Sequence, residues 1–385
     1  MMSQMSLKKH FKLFARTALY AGGAIFLVAG SWSFVKIYGP SVAYAPAEVV
    51  IFEPPKPKHV LTPDSVKAIY MTSWVAGTRE WRADLANFIK KTELNSIVID
   101  VKDYTGRIVF KTGDNFIKNT GSEEVRVSDM QDFIESLHDA GIYAIARITV
   151  FQDPFYAKKH PEIAVQKKNG ALWKDKKGLS YVDPASREFW DYIVRVARAA
   201  EQIGFDELNF DYIRFPSDGN MSDIKFPVSI TRNKVEVLSE FFAYLDSQLS
   251  DLSVPISADV FGMTTTNYDD LNIGQVLEAI APHFDYIAPM VYPSHYPPTF
   301  RGYKNPAAHP YEVVHYSMSK AVERLLAAST TPAKLRPWIQ DFDLGATYDA
   351  AKVRAQIQAV YDSGLTSWMS WDAGNKYTRD AYQEE

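Results

Sequence analysis

The chain has 385 residues, 46% hydrophobic, 14% aromatic and 23% charged, with no cysteine. That apolar fraction excludes wholesale disorder and collagen-like structure. The missing cysteine removes disulfide scaffolds, thiol nucleophiles, iron–sulfur clusters, Cys-ligated zinc and a lipoprotein anchor together. Net charge is −4, yet residues 1–47 hold five basic side chains and no acid, leaving 37 basic and 46 acidic residues beyond them. An acidic domain of that balance is a poor polyanion binder, so nucleic acid is not an expected partner.

Lys8, Lys9, Lys12 and Arg16 precede the charge-free run Thr17–Val35, which Lys36 closes. As a helix, a run of that length spans roughly 28 Å, close to a bilayer core. The basic flank keeps the N-terminus cytoplasmic, so residues 1–39 read as a membrane anchor with the rest facing the periplasm or exterior. A cleaved signal is the alternative, because Ala43-Tyr44-Ala45 has the small-x-small pattern of a cleavage site; the protein would then be secreted. Pro40, Pro46, Pro54, Pro55, Pro57 and Pro63 follow within 24 residues, a density that forbids helix or central strand and reads as a linker over 40–65.

From residue 66 to 385 short apolar runs alternate with helical patterns. The runs are Val66–Thr72, Ser96–Lys102, Ile142–Thr149, Glu207–Ile213, Pro255–Phe261, Asp285–Val291, Arg336–Asp341 and Thr366–Trp371. The clearest helical patterns are Trp81–Thr92, Ser128–Ala140, Ser186–Ile203, Thr231–Ser250, Tyr311–Ala328 and Asp349–Asp362, and Gly141, Gly204 and Gly364 suit C-terminal caps. Alternation of this kind implies parallel pairing, and eight units predict an α/β fold of the (β/α)8 TIM-barrel type. An open doubly wound sheet is the competing arrangement. It wants a glycine-rich phosphate loop after the first strand, where the chain reads Thr72-Ser73-Trp74-Val75-Ala76-Gly77-Thr78.

In a barrel, chemistry sits at the C-terminal strand ends. Asp211 and Asp259 lie inside the fourth and fifth runs, near their C-terminal ends, each within an apolar setting where an unpaired carboxylate is costly. Glycoside hydrolysis gives a reason for both, since it needs one protonated and one ionised carboxyl. An ion pair of Asp211 with Arg214 or Arg147 is the plainer alternative. Asp341 and Asp103 are further strand-end carboxyls suited to assist catalysis, to hold a sugar hydroxyl, or to form a salt bridge to Lys102 or Arg147. Trp74, Trp173, Tyr292, Tyr296, Trp338 and Trp371 offer flat faces for pyranose rings, although aromatics also fill cores. Arg147 and Arg214 complete the set expected to position a sugar.

Eight histidines without HxH or HExxH spacing give zinc little to bind, and neither a GxSxG elbow nor a GxxxxGK loop occurs. No metal or cofactor is expected. His295 and His309 read as polar loop residues. A lyase or isomerase would want a Lys or His base at a strand end, for which Lys102 is the candidate. The long loop Phe151–Pro184 carries Lys158, Lys159, Lys167, Lys168, Lys174, Lys176 and Lys177 around Trp173; it is either a basic patch for an acidic glycan or a solvated loop.

The strings YMTSWVAGTREW, NSIVIDVKDYTGRIVF, NFDYIRFPSDG, SADVFGMTT and DYIAPMVYPSHY resemble the bacterial putative glycosyl hydrolase domain family, a TIM-barrel group distantly similar to α-amylase-like and chitinase-like enzymes. The resemblance covers about residues 66–380 and implies a (β/α)8 fold and a carbohydrate substrate. By the α-amylase-like pattern Asp211 is similar to the nucleophile, Asp259 stands where a Glu acid is usual, and Asp341 takes the stabilising place. The chitinase-like strand-4 signature would end in a Glu, but Ile213 stands there. Met290-Val291-Tyr292 and Trp371 still look chitinase-like. The expected function is hydrolysis of a cell-envelope or extracellular polysaccharide, or else glycan binding by a catalytically weak barrel.

Overall fold

Every apolar run between residues 66 and 371 becomes a strand whose residues are almost all buried, as a parallel sheet covered on both faces requires. The computed structural model describes residues 57–384. The expected N-terminal helix and residues 40–56 of the linker lie outside the described residues. Among the described residues, no helix is long and apolar enough to cross a membrane. The strands are β1 (Lys67–Met71), β2 (Ser96–Lys102), β3 (Tyr143–Thr149), β4 (Glu207–Asp211), β5 (Ile256–Phe261), β6 (Tyr286–Met290), β7 (Trp338–Gln340) and β8 (Trp368–Trp371). They close in the order β1-β8-β7-β6-β5-β4-β3-β2, each parallel to its neighbour. Closure runs through Lys67 opposite Trp368 and Ile69 opposite Ser370.

Helices α1 (Arg79–Ile89), α2 (Met130–Asp139), α3 (Arg187–Gln202), α4 (Lys234–Leu249), α5 (Leu277–Ile280), α6 (Pro310–Ala327) and α7 (Ala350–Asp362) connect consecutive strands. Side-chain caps start several of them: Ser186 accepts from Phe189 N, Asn233 from Val235 N, and Asp349 from Lys352 N. At their ends Gly141, Gly204 and Gly364 take positive φ, as expected of C-terminal caps. After β8 a single 3-10 turn, Arg379–Ala381, stands where an eighth helix would be. The tail fastens itself to the first strand, with Asn375 Nδ2 donating to Tyr70 O at 3.0 Å and Tyr70 N donating to the Tyr377 hydroxyl at 2.9 Å, and Glu384 bridges Thr92 beyond α1.

Strand alternation sorts side chains into two apolar bodies. Tyr70, Val98, Tyr143, Ile145, Ala288, Tyr292, Trp338 and Met369 form the barrel interior, while Ile69, Ile97, Ile99, Leu208, Phe210 and Val260 pack against the helices. The lower interior also holds a paired polar group. Arg336 Nη1 lies 2.6 Å from Glu207 Oε2, which also accepts from the Tyr143 hydroxyl at 3.0 Å. Residues 57–65, expected as linker, are docked at this same end. Val60 N donates to Asp206 Oδ1 at 2.8 Å, and Thr62 Oγ1 lies 3.1 Å from the Tyr143 hydroxyl.

Lys102 is not at the mouth of the barrel. The register of β2 against β3 slips by one residue between Asp100 and Lys102, which turns the Lys102 side chain outward, 5.8 Å above the Phe189 ring of α3. There its Nζ lies 2.8 Å from Asp153 Oδ2 and donates to Thr149 O at 2.6 Å, with both side chains fully buried. This placement removes it as a base for a lyase. Removing one partner of a buried ion pair costs more than the pair itself contributes. Lys102→Met is therefore expected to lower the unfolding free energy by about 3–5 kcal/mol in guanidinium titration; a loss within error would show that the pair is not structural.

Candidate active site

The inward positions of β4 are Glu207, Asn209 and Asp211, a polar column that climbs from the paired floor to the mouth. Asp211 ends the strand, and the next residue, Tyr212, turns with φ +53, a left-handed conformation that a non-glycine residue holds only under constraint. The turn brings the Tyr212 amide onto Asp211 Oδ1 at 2.5 Å. Arg147 comes from the matching level of β3. Its Nε donates to Asp211 Oδ2 at 3.1 Å with Nη2 on the same oxygen, and its Nη1 donates to Asp100 Oδ1 at 2.6 Å. The same Nε lies 3.8 Å from Oδ2 of Asp259, on β5. Asp259 Oδ1 accepts from Asn209 Nδ2 at 2.9 Å and from Trp338 Nε1 at 2.8 Å.

These groups open into a cleft of about 540 Å³, within the range of small-molecule sites. Of the residues expected from sequence, Asp211, Asp259, Arg147, Arg214, Tyr292, Tyr296 and Trp371 line it together. Trp371 stacks on Tyr70 with ring centroids 3.9 Å apart and takes the Arg147 guanidinium 5.0 Å from its own ring. One wall is made by the loops after β3 and β4. Two-residue strands Gln166–Lys167 and Ile224–Lys225 pair antiparallel between these loops, and Trp173 Nε1 donates to Asn220 O at 2.9 Å.

The sequence matches the family described as "putative glycosyl hydrolase domain" over residues 68–377. The chain belongs to this family. Among curated proteins none matches. A hypothetical protein from Ruminiclostridium thermocellum is 33% identical, with a TM-score of 0.46, over 50% of this chain and 97% of its own. The PgaB (BpsB) glycoside hydrolase domain from Bordetella bronchiseptica is similar at 13% identity and a TM-score of 0.59, over 83% and 99% of the two chains. The C-terminal domain of a putative chitinase from Desulfitobacterium hafniense follows at 12% and 0.52, over 82% and 96%. The likeness to the last two bears out the barrel fold.

Within this glycosyl hydrolase family member, five expected site residues lie elsewhere. Asp341 turns away from the cleft toward the tail, where Oδ2 accepts from Thr378 N at 3.0 Å and the Tyr382 hydroxyl at 2.8 Å. Asp103 is buried against Arg126. Trp173 is core, and a Cβ at Gly219 would meet its ring at 2.7 Å. Trp338 is likewise fully buried, beneath Asp259 rather than beside a sugar. Trp74 is 61% exposed on the β1 loop, resting on the Arg126 guanidinium at 4.2 Å, outside the cleft. Of the loop lysines only Lys177 reaches the cleft, which His295 also lines. His309 stacks on Tyr303 away from it.

Asn209 and Tyr70 are functional neighbours that the strand-end survey passes over. Asn209 was visible as the inward residue two before Asp211, and Tyr70 as the inward residue two after Ala68. Among the described residues, no cluster of three His, Asp or Glu side chains is arranged to hold a metal ion.

Burial pushes the Asp259 carboxyl up to about 8, and the charge of Asp211 adds to the rise while Arg147 offsets part of it. Asp100 is likewise raised by burial, against the pull of Arg147. Burial and the neighbouring Asp259 and Asp211 hold the Tyr292 phenol well above its usual range, so it stays neutral. Asp341 is pushed up to about 6, mainly by burial. Between the ordinary value of 3.8 and about 8, folded Asp259 keeps a proton that the unfolded chain releases. Stability therefore falls as pH rises through that window. Asn has the shape of the neutral acid, so Asp259→Asn is expected to melt with wild type near pH 3.5 and progressively above it up to about pH 8. Parallel melting curves across that range would remove the raised acid.

Proposed function

We propose that this protein hydrolyses O-glycosidic bonds of a cell-envelope or extracellular polysaccharide, with Asp259 as general acid and Asp211 as nucleophile or base. The observation that carries the reading is the pair of strand-end carboxyls at one Arg147 nitrogen, 3.1 and 3.8 Å from it, one bonded to the cation and the other held protonated at neutral pH. Two carboxyls with opposed protonation are what glycoside hydrolysis requires. Asp259 gives its proton to the glycosidic oxygen as that oxygen takes the electron pair of the breaking bond. Asp211 attacks the anomeric carbon, or takes a proton from the water that does.

Because both oxygens surround one nitrogen, they lie no further apart than its two distances laid end to end. That span admits the separation of a retaining pair, about 5–5.5 Å, and only the lower edge of the inverting range, about 6.5–9.5 Å. Trp371 and Tyr292 offer the faces on which a pyranose would rest, with Arg214 beside them. Trp74, braced on Arg126 at the rim, is suited to a more distant sugar of a long chain. The basic, apolar N-terminal run supports placing the barrel outside the membrane, anchored or released. A second reading has one observation in its favour. Both oxygens of Asp211 are already engaged, by Arg147 and by the Tyr212 amide, which suits a barrel that binds glycan without cutting it.

Reducing-end release by the full chain across a panel of bacterial envelope glycans separates the two. Asp211→Asn and Asp259→Asn are each expected to lower kcat by about 10²–10⁴-fold while both variants stay folded by circular dichroism. Binding without release in wild type would establish the second reading and end the catalytic one. Trp74→Ala is expected to weaken co-sedimentation with an insoluble glycan while sparing hydrolysis of short oligosaccharides. Unchanged sedimentation would remove Trp74 from the binding surface.

A further inference from the structure

The two oxygens of Asp259 stand in unlike surroundings. Oδ1 receives two N–H groups, Trp338 Nε1 at 2.8 Å and Asn209 Nδ2 at 2.9 Å. An indole nitrogen only donates, so a hydroxyl hydrogen on Oδ1 would face a donor instead of an acceptor. Oδ2 has no hydrogen-bond partner among the described residues. It lies 3.8 Å from Arg147 Nε, whose hydrogen goes to Asp211 Oδ2 at 3.1 Å. Trp338 itself has little freedom: it is fully buried, paired in register with Met290 and Met369, and set edge-on to Trp371 at 88°.

We infer that the proton of Asp259 resides on Oδ2, and that Trp338 is the positioning residue that holds it there, with Asn209 as its partner. The inference deepens the hydrolase reading and rests on it for its catalytic meaning. Both N–H donors serve twice. Before proton transfer they fix which oxygen bears the hydrogen, and after it they stabilise the anion left behind. The charged and titratable groups facing Asp259 are Arg147 from β3, Asp211 from β4 and the Tyr292 phenol after β6; β7 contributes the uncharged indole. Loss of the indole N–H removes a bond to the ionised form, so the acid becomes weaker.

The test follows the carboxyl directly, in the full chain carrying 13C-labelled Asp, with the Asp259 signal assigned by its loss in Asp259→Asn. Trp338→Phe, which keeps an aromatic body and removes the N–H, is expected to raise the titration midpoint by roughly one pH unit, a tenfold weaker acid. Asn209→Ala is expected to move it the same way. In wild type, the Trp338 indole N–H resonance is expected to shift with the same midpoint as the carboxyl, a readout that requires no variant to fold. A folded Trp338→Phe that titrates as wild type, or an indole signal indifferent to pH, would overturn the inference. The titration needs no turnover, so it stands apart from the test of the hydrolase reading: binding without release in wild type would end that reading, and full glycan cleavage in the Asp211→Asn and Asp259→Asn variants would end the roles of Asp211 and Asp259 as catalysts, and either would leave the midpoint shift intact.

Discussion

One guanidinium governs the barrel mouth. Asp100, Asp211 and Asp259 gather around Arg147, three acids and a single cation in a layer almost closed to water. Ionised groups in such a place are costly unless paired, so the layer has room for about one carboxylate to balance the arginine. Asp211 receives two of the guanidinium's nitrogens and its own strand's turning amide. Burial drives Asp100 and Asp259 toward their neutral forms. The raised proton affinity of Asp100 and Asp259 is thus a property of how charge is rationed among four side chains, more than of any residue alone.

The architecture supplies that layer through its alternation of inward and outward positions. On β4 the inward residues run Glu207, Asn209, Asp211, and each level finds a partner: Ser257 on β5 for Asn209, Arg147 on β3 for Asp211, and Arg336, just before β7 across the barrel, for Glu207. The polar column is continuous, and hydrogen bonds bind it sideways into the apolar interior. The residue slip on β2 preserves the arrangement by sending Lys102 to the helix side. A second cation in the mouth, the Lys102 ammonium beside the Arg147 guanidinium, would have altered the charge balance on which Asp259 depends.

Much of this was legible in the chain. All eight strands fall within the apolar runs, Ser96–Lys102 with both ends as read, because parallel strands buried on both faces leave an unbroken apolar trace. The four-residue helix Leu277–Ile280 was not seen, being too short to show a helical period. Asp211, Asp259 and Arg147 were found because a charge inside an apolar run stands out. The aromatics were less readable. Trp338 and Trp371 sit on neighbouring strands with similar surroundings in sequence, yet one is sealed beneath the acid and the other faces the cleft. That distinction depends on height within the barrel, which a linear string does not carry. Asp341 and Asp103 misled for a related reason: each stands at a strand end, but its partners, Tyr382 and Arg126, come from segments remote in sequence.

The clasp between the tail and β1 bears on how the polypeptide reaches this state. The first strand made has its backbone groups met by Asn375 and Tyr377, and its far edge by β8. During synthesis, residues 67–71 are among the earliest of the domain to emerge, while their partners are among the last. Helices and the β2–β3–β4 side can begin to assemble on local contacts, but the ring cannot shut until the final stretch is free of the ribosome. Until then β1 presents an unpaired, apolar edge. The chain therefore passes through a stage in which it is most open to self-association or to a chaperone, and residues 368–377 decide when that stage ends.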